Sequence, residues 1–73
     1  MTDALDFRPR VDGGFEVFAA GKRVVKVRPD PANPGGWLLT NLKVDRTAPV
    51  ADIGTAARRA TSIGRLFLPV RTS

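Results

Sequence analysis

The stretch Pro29–Gly36, "PDPANPGG", limits the fold more than any other. Its prolines lack backbone N–H groups and its glycines favour turns, so neither a helix nor a strand can run through it. The chain must reverse there. Pro9 and the pair Gly13-Gly14 likewise block a helix over the first dozen residues, which read as an extended N-terminal arm over residues 1–14. Between these breaks the pattern has a period of two. "FEVFA" and "RVVKVR" are rich in β-branched and aromatic residues, and Ala20-Gly21 supplies a tight turn between them. "WLLTNL" reads as a third strand. Short connections make sequence neighbours into spatial neighbours, so an antiparallel meander is expected.

"LKVDRTAPVA" reads as a polar connection. Asp52 then has the character of a helix N-cap, a carboxylate able to accept from unpaired backbone N–H groups. Ile53, Ala56, Ala57, Ala60, Ile63, Gly64 and Phe67 recur at spacings of three and four and trace one helical stripe. Its alanines and glycine let the helix lie close to a sheet. Arg58, Arg59, Ser62 and Arg65 take the opposite, solvated side. The spacing predicts a helix from Asp52 to about Leu66. Alternatively Gly64 ends it and "RLFLPV" forms a fourth strand or a docked tail. The expected fold is α+β: a three-stranded antiparallel sheet in the order β-β-β-α, with one C-terminal helix packed on one face. Residues 15–68 form the single domain and 69–73 a tail.

Several classes of function are poorly served by this composition. A chain of 73 residues buries only about 60% of its unfolded surface, so its core is small. Without cysteine it has neither disulfides nor thiolate metal sites, which fits a reducing cytoplasm. No run reaches the roughly 18 apolar residues of a membrane span, and "MTDALDFRPR" lacks the apolar region of a signal peptide. A soluble cytoplasmic protein with no membrane partner is expected. Histidine and tyrosine are also absent, and the serines are Ser62 and Ser73. General acid–base and nucleophilic catalysis lack their usual groups, and the carboxylates do not cluster at metal-binding spacing. The glycine pairs do not lead into helices, so neither is a phosphate-binding loop. The expectation is a protein that is not an enzyme, with no cofactor, metal or small-molecule substrate.

Charge suggests a partner. The chain carries a net charge of +5. Residues 1–16 are net acidic, whereas residues 17–73 set ten bases against Asp30, Asp45 and Asp52. The positive charge therefore belongs to the folded body, as suits nucleic acid or an acidic protein or ribonucleoprotein surface. Strand alternation puts Lys22, Val24, Lys26 and Arg28 on one face and Arg23, Val25 and Val27 on the other. If Val25 and Val27 meet the helix together with Phe15 and Val17, then Phe18, Lys26 and Arg28 point outward. Leu38, Thr40 and Leu42 would then point in, with Trp37 and Leu39 out. The candidate binding residues are Lys22, Arg23, Lys26, Arg28, Trp37 and Phe18, joined by Lys43 and Arg46 from the connector. Basic side chains can meet phosphates or read guanine, and flat rings can stack. Trp37 has a second reading, as a core anchor, which would reverse the facing.

"GKRVVKVRPDP…GGWLLT" followed by an alanine-rich helix resembles the AP2/ERF DNA-binding domain, and is similar to the three-stranded amino-terminal domains of tyrosine recombinases from mobile elements. The resemblance spans about Phe15 to Phe67, with Gly21, Lys22, Val24, Arg28, Pro31, Trp37, Leu38 and Thr40 matching in detail. It implies a sheet that enters the major groove, backed by the helix. Arg28 and Trp37 would be sheet contacts, and Lys26 would stand where the family has an acidic residue. The family's first-strand arginines fall on Glu16 and Phe18, its turn tryptophan on Ala20, and its glycine after Trp-Leu on Leu39.

The function expected from these residues is binding of double-stranded DNA through the open sheet face. The alternative is a phage- or mobile-element-encoded protein-interaction module that inhibits a host nucleic-acid machine, as anti-CRISPR proteins do. Exposed Phe18 and Leu39 would suit such an interface. A third reading is a self-assembling subunit whose exposed third strand pairs with its own copy.

Overall fold

The computed structural model describes residues 5–68. Strands β1 (Leu5–Pro9), β2 (Phe15–Ala19), β3 (Lys22–Pro29), β4 (Trp37–Asn41) and β5 (Arg46–Val50) precede one helix, α1 (Ile53–Arg65). The strands form one antiparallel sheet in the order β1-β2-β3-β4-β5. The fold is α+β, but the sheet has five strands rather than the expected three. Both additional strands are edges, one from the arm and one from the polar connector. The sequence pattern read them as an extended arm and a polar connection, and each carries a proline, Pro9 or Pro49. An edge strand tolerates proline because the missing N–H need not face a neighbour.

Local chemistry closes each hairpin. Between β1 and β2, the Arg10 N–H donates to the Gly14 carbonyl (2.9 Å) and the Gly14 N–H donates to Asp12 Oδ1 (3.0 Å). Ala20 and Gly21 both have positive φ, 53° and 79°, as a tight hairpin turn of twist-matched hand requires. The Asp30–Gly36 loop is tied by Asp30 N–H to Gly36 O (3.1 Å) and Gly36 N–H to Asn33 O (2.8 Å). Between β4 and β5, Asn41 Oδ1 accepts from the Lys43 N–H (3.0 Å) and Asp45 takes a φ of 55°. Both are conformations that Asn and Asp side chains favour.

Helix α1 begins where Asp52 caps it, with Oδ1 accepting from the Thr55 N–H (2.8 Å) and Oδ2 from the Thr55 hydroxyl (3.1 Å). These bonds, backbone first, hold the Asp52 carboxyl below its ordinary pKa. The helix buries Ala56, Ala60 and Gly64, one residue per turn, against the sheet. Val17, Val24, Val25, Val27, Leu39 and Val50 fill the core beneath it. The fit is close at Gly64, where a Cβ would lie 2.9 Å from a Leu5 methyl and 3.2 Å from Val17 Cγ1. Ile53, expected in the buried stripe, is 42% exposed at the helix start. Phe67 and Leu68 pack on the core after a turn rather than forming a strand. The expected tail 69–73 lies outside the described residues.

Among the described residues, no helix is long and apolar enough to cross a membrane.

Candidate nucleic-acid interface

Helix α1 covers one face of the sheet and nothing among the described residues covers the other. Opposite residues in an antiparallel pair share a face, so the register assigns each side chain. Val27 pairs with both Phe15 and Leu39, and Val25 pairs with Val17. These are the helix side. The uncovered side therefore carries the rows Arg8–Glu16–Lys26–Thr40–Thr47, Asp6–Phe18–Arg23 and Arg28–Leu38–Pro49.

Two features depart from simple alternation. First, a β-bulge lies after Val17: Val17 pairs with Val25, but Phe18 pairs with Arg23, leaving Val24 as the extra residue on β3. Val24 and Val25 are both buried. The bulge brings Arg23 to the open side and sends Lys22 to the helix side, opposite buried Ala19. Lys22 and Arg23 thus exchange the faces expected of them. Second, the Asp30–Gly36 loop closes so that Pro29 meets Trp37. Trp37 and Leu39 therefore face the helix, and Leu38 and Thr40 the open side, the reverse of the sequence expectation. Leu39 is 5% exposed and Trp37 packs against the core. Of the two readings of Trp37, the core anchor is the one observed.

The remaining sites separate. Lys43, in the β4–β5 turn, holds its ammonium 5.8 Å from the centre of the Phe67 ring, and Lys22 lines the same cleft. Arg46 pairs with Asn41 at the start of the edge strand β5, in register with the helix side. Neither joins the open face. Phe18, Lys26 and Arg28 do, together with Arg23. Arg8, which the sequence reading had left in the arm, is added. Its guanidinium lies 4.3 Å from the centre of the Phe18 ring. The signal was present in "LDFRP", where Leu5 and Phe7 alternate with Asp6 and Arg8.

Acidic groups arrange several of these cations. Arg8 Nε donates to Asp6 Oδ2 (2.8 Å). Glu16 Oε2 accepts from Arg23 Nη1 (2.8 Å) and from Arg10 Nη1 (3.1 Å). Arg10 also grips Asp12 (3.0 Å), and this bond, assisted by the Gly14 N–H, holds the Asp12 carboxyl below its ordinary pKa. Lys26 and Arg28, half-buried on the central strand β3, make no ion pair among the described residues. Beside them the Thr40 and Thr47 hydroxyls share a hydrogen bond of 2.9 Å.

No protein-family model, curated protein or solved structure matches the chain.

Proposed function

We propose that this protein binds duplex DNA across the open face of its sheet, chiefly through the phosphate backbone. One observation carries the reading: Lys26 and Arg28 sit at the middle of an uncovered face and make no ion pair among the described residues, Glu16 opposite Lys26 being engaged by Arg10 and Arg23. Arg8 and Arg23 flank them, held in place by Asp6 and Glu16. A phosphate can take over Arg8 from Asp6, because both side chains are exposed and such pairs are worth little in water. Arg23, itself half exposed, stays oriented by the more buried Glu16 and offers a phosphate its remaining guanidinium N–H groups.

Width decides how the face is used. Four inter-strand steps of about 4.8 Å span about 19 Å, whereas the major groove is about 12 Å wide. A sheet of five strands cannot enter the groove flat, so it lies across the backbones. Base reading by the whole face is therefore not part of the proposal. A single strand is disfavoured because it needs open rings for stacking. The ring on this face, Phe18, is already covered by Arg8.

Salt dependence tests the reading. If Arg8, Arg23, Lys26 and Arg28 each meet a phosphate, the log–log salt slope is about −3.6, a loss of roughly 150-fold between about 50 and 200 mM salt. With Lys26→Ala and Arg28→Ala together the slope falls to about −1.8 and the loss to roughly 12-fold. Electrophoretic mobility with a short duplex measures both. Binding that is absent at low salt, or untouched by the double substitution, removes the proposal.

Half-buried Leu38 beside Pro49 favours a second reading, in which the same face docks on an acidic protein surface of a nucleic-acid machine. A pull-down whose partner survives nuclease treatment would select it.

A further inference from the structure

We propose that the outer edge of β1, with the groove between β1 and α1, takes an extended acidic segment of a partner protein as a sixth strand. This inference uses the helix side of the molecule and does not rest on the DNA-binding reading. β1 ends the sheet, and among the described residues no strand pairs along its outer side. Its proline, Pro9, is its last residue. At the opposite edge Pro49 lies inside β5 and deprives that edge of an N–H donor. β1 is thus the edge better able to extend the ladder.

Beside it runs a groove of about 410 Å³ lined by Phe7, Ala57, Arg58, Thr61, Ser62 and Arg65. Phe7 is 45% exposed there, its ring tilted against Phe15 at 5.8 Å. Arg58 and Arg65 form the rim, and α1 contains no acidic residue from Ile53 to Arg65. Neither arginine has an ion-pair partner among the described residues.

An added strand alternates its side chains between the two faces. On the helix side, an apolar residue opposite Phe7 would cover the ring, and carboxylates two positions away would meet Arg58 and Arg65. On the open side it would pass Asp6 and Arg8, which already neutralise each other. Charge complementarity therefore specifies an acidic partner. A second copy fits less well. Pairing β1 with itself about Phe7 would match Asp6 to Arg8, but would bring the Arg58 and Arg65 side chains of two helices over the same pair of strands.

The probe is a short acetylated peptide in which glutamates alternate with threonines around a central isoleucine, titrated into ¹⁵N-labelled protein. The expected result is amide shifts along Leu5–Arg8 and the facing side of α1, lost when alternate peptide nitrogens are methylated. Arg58→Glu with Arg65→Glu should weaken binding by about tenfold or more while leaving the circular dichroism unchanged, because both side chains are exposed. Four results would overturn the proposal: no peptide binding, equal binding of a peptide with lysines for glutamates, shifts confined to the open sheet face, or displacement of the peptide from Arg58 and Arg65 by duplex DNA. So would sedimentation showing a dimer that buries β1.

Discussion

Replacing Gly14 with alanine tests whether the β1–β2 hairpin is clamped onto the central strand. A Cβ at Gly14 would run into the Val27 carbonyl oxygen, and would lie 2.9 Å from the Val27 carbonyl carbon and 3.0 Å from Arg28 Cα. All three are backbone atoms of β3, so no rotamer change relieves the clash. The neighbouring Gly13 is the opposite case. Its φ of 93° disfavours a side chain, yet a Cβ there would have nothing within 4 Å. Overpacking against fixed atoms costs about 1–3 kcal/mol, and Gly14→Ala belongs at the upper end. Left-handed backbone strain at Gly13→Ala costs about 1–2 kcal/mol. At about 4–8 °C per kcal/mol for a domain of this size, Gly14→Ala should lower Tm by about 12–24 °C and Gly13→Ala by about 4–16 °C. Thermal unfolding followed by circular dichroism reads both. If Gly13→Ala proves the more damaging, backbone conformation rather than close approach governs the hairpin, and the reasoning fails. The clash also reaches function, because Gly14 lies against the backbone that presents Arg28.

Three further outcomes follow from particular contacts. Asp52→Ala should lower Tm by several degrees at neutral pH. Because the folded Asp52 carboxyl titrates below its ordinary value, the charge-dependent part of the cap's contribution is fully present above the unfolded pKa and disappears as pH falls through the lower folded one. The gap between wild type and variant melts should therefore narrow below about pH 4, leaving only what a neutral carboxyl cap supplies, and a gap that does not change with pH would contradict the ionised cap. Ala20→Asn should stabilise the β2–β3 turn by about 0.5–1 kcal/mol, since Asn tolerates the positive φ that alanine holds there; chemical denaturation that shows a loss would mean the turn has another conformation. Trp37 emission should hardly change when duplex is added, because the ring lies on the helix side of the sheet; a large shift or strong quenching would reverse the facing.

The helix was legible because two independent signals agreed, an acidic cap and small residues at spacings of three and four. Val17, Val25 and Val27 also marked the side that meets it, which put Lys26 and Arg28 on the other. What failed depended on parity. One extra residue at Val24 exchanged Lys22 with Arg23, and neither valine differs in kind from an ordinary strand residue. The exact closure of the Asp30–Gly36 loop turned Trp37 and Leu39 inward; a loop of prolines and glycines announces a turn but not which residues end opposite each other. The edge strands were missed because residues 1–14 were read only as an extended arm and "LKVDRTAPVA" only as a polar connection, without asking whether the sheet offered either a pairing edge. Asn41 and Asp45 were the available clue to the last hairpin, since both suit tight turns.

The account stands or falls on the side of the sheet that meets a polyanion. An amide chemical-shift titration with a short generic duplex at low salt measures it directly. The predicted shifts gather on Arg8, Phe18, Arg23, Lys26, Arg28 and Thr40 and fade as salt is added. Shifts gathered on Arg58, Arg59 and Arg65, or none at all, would contradict it.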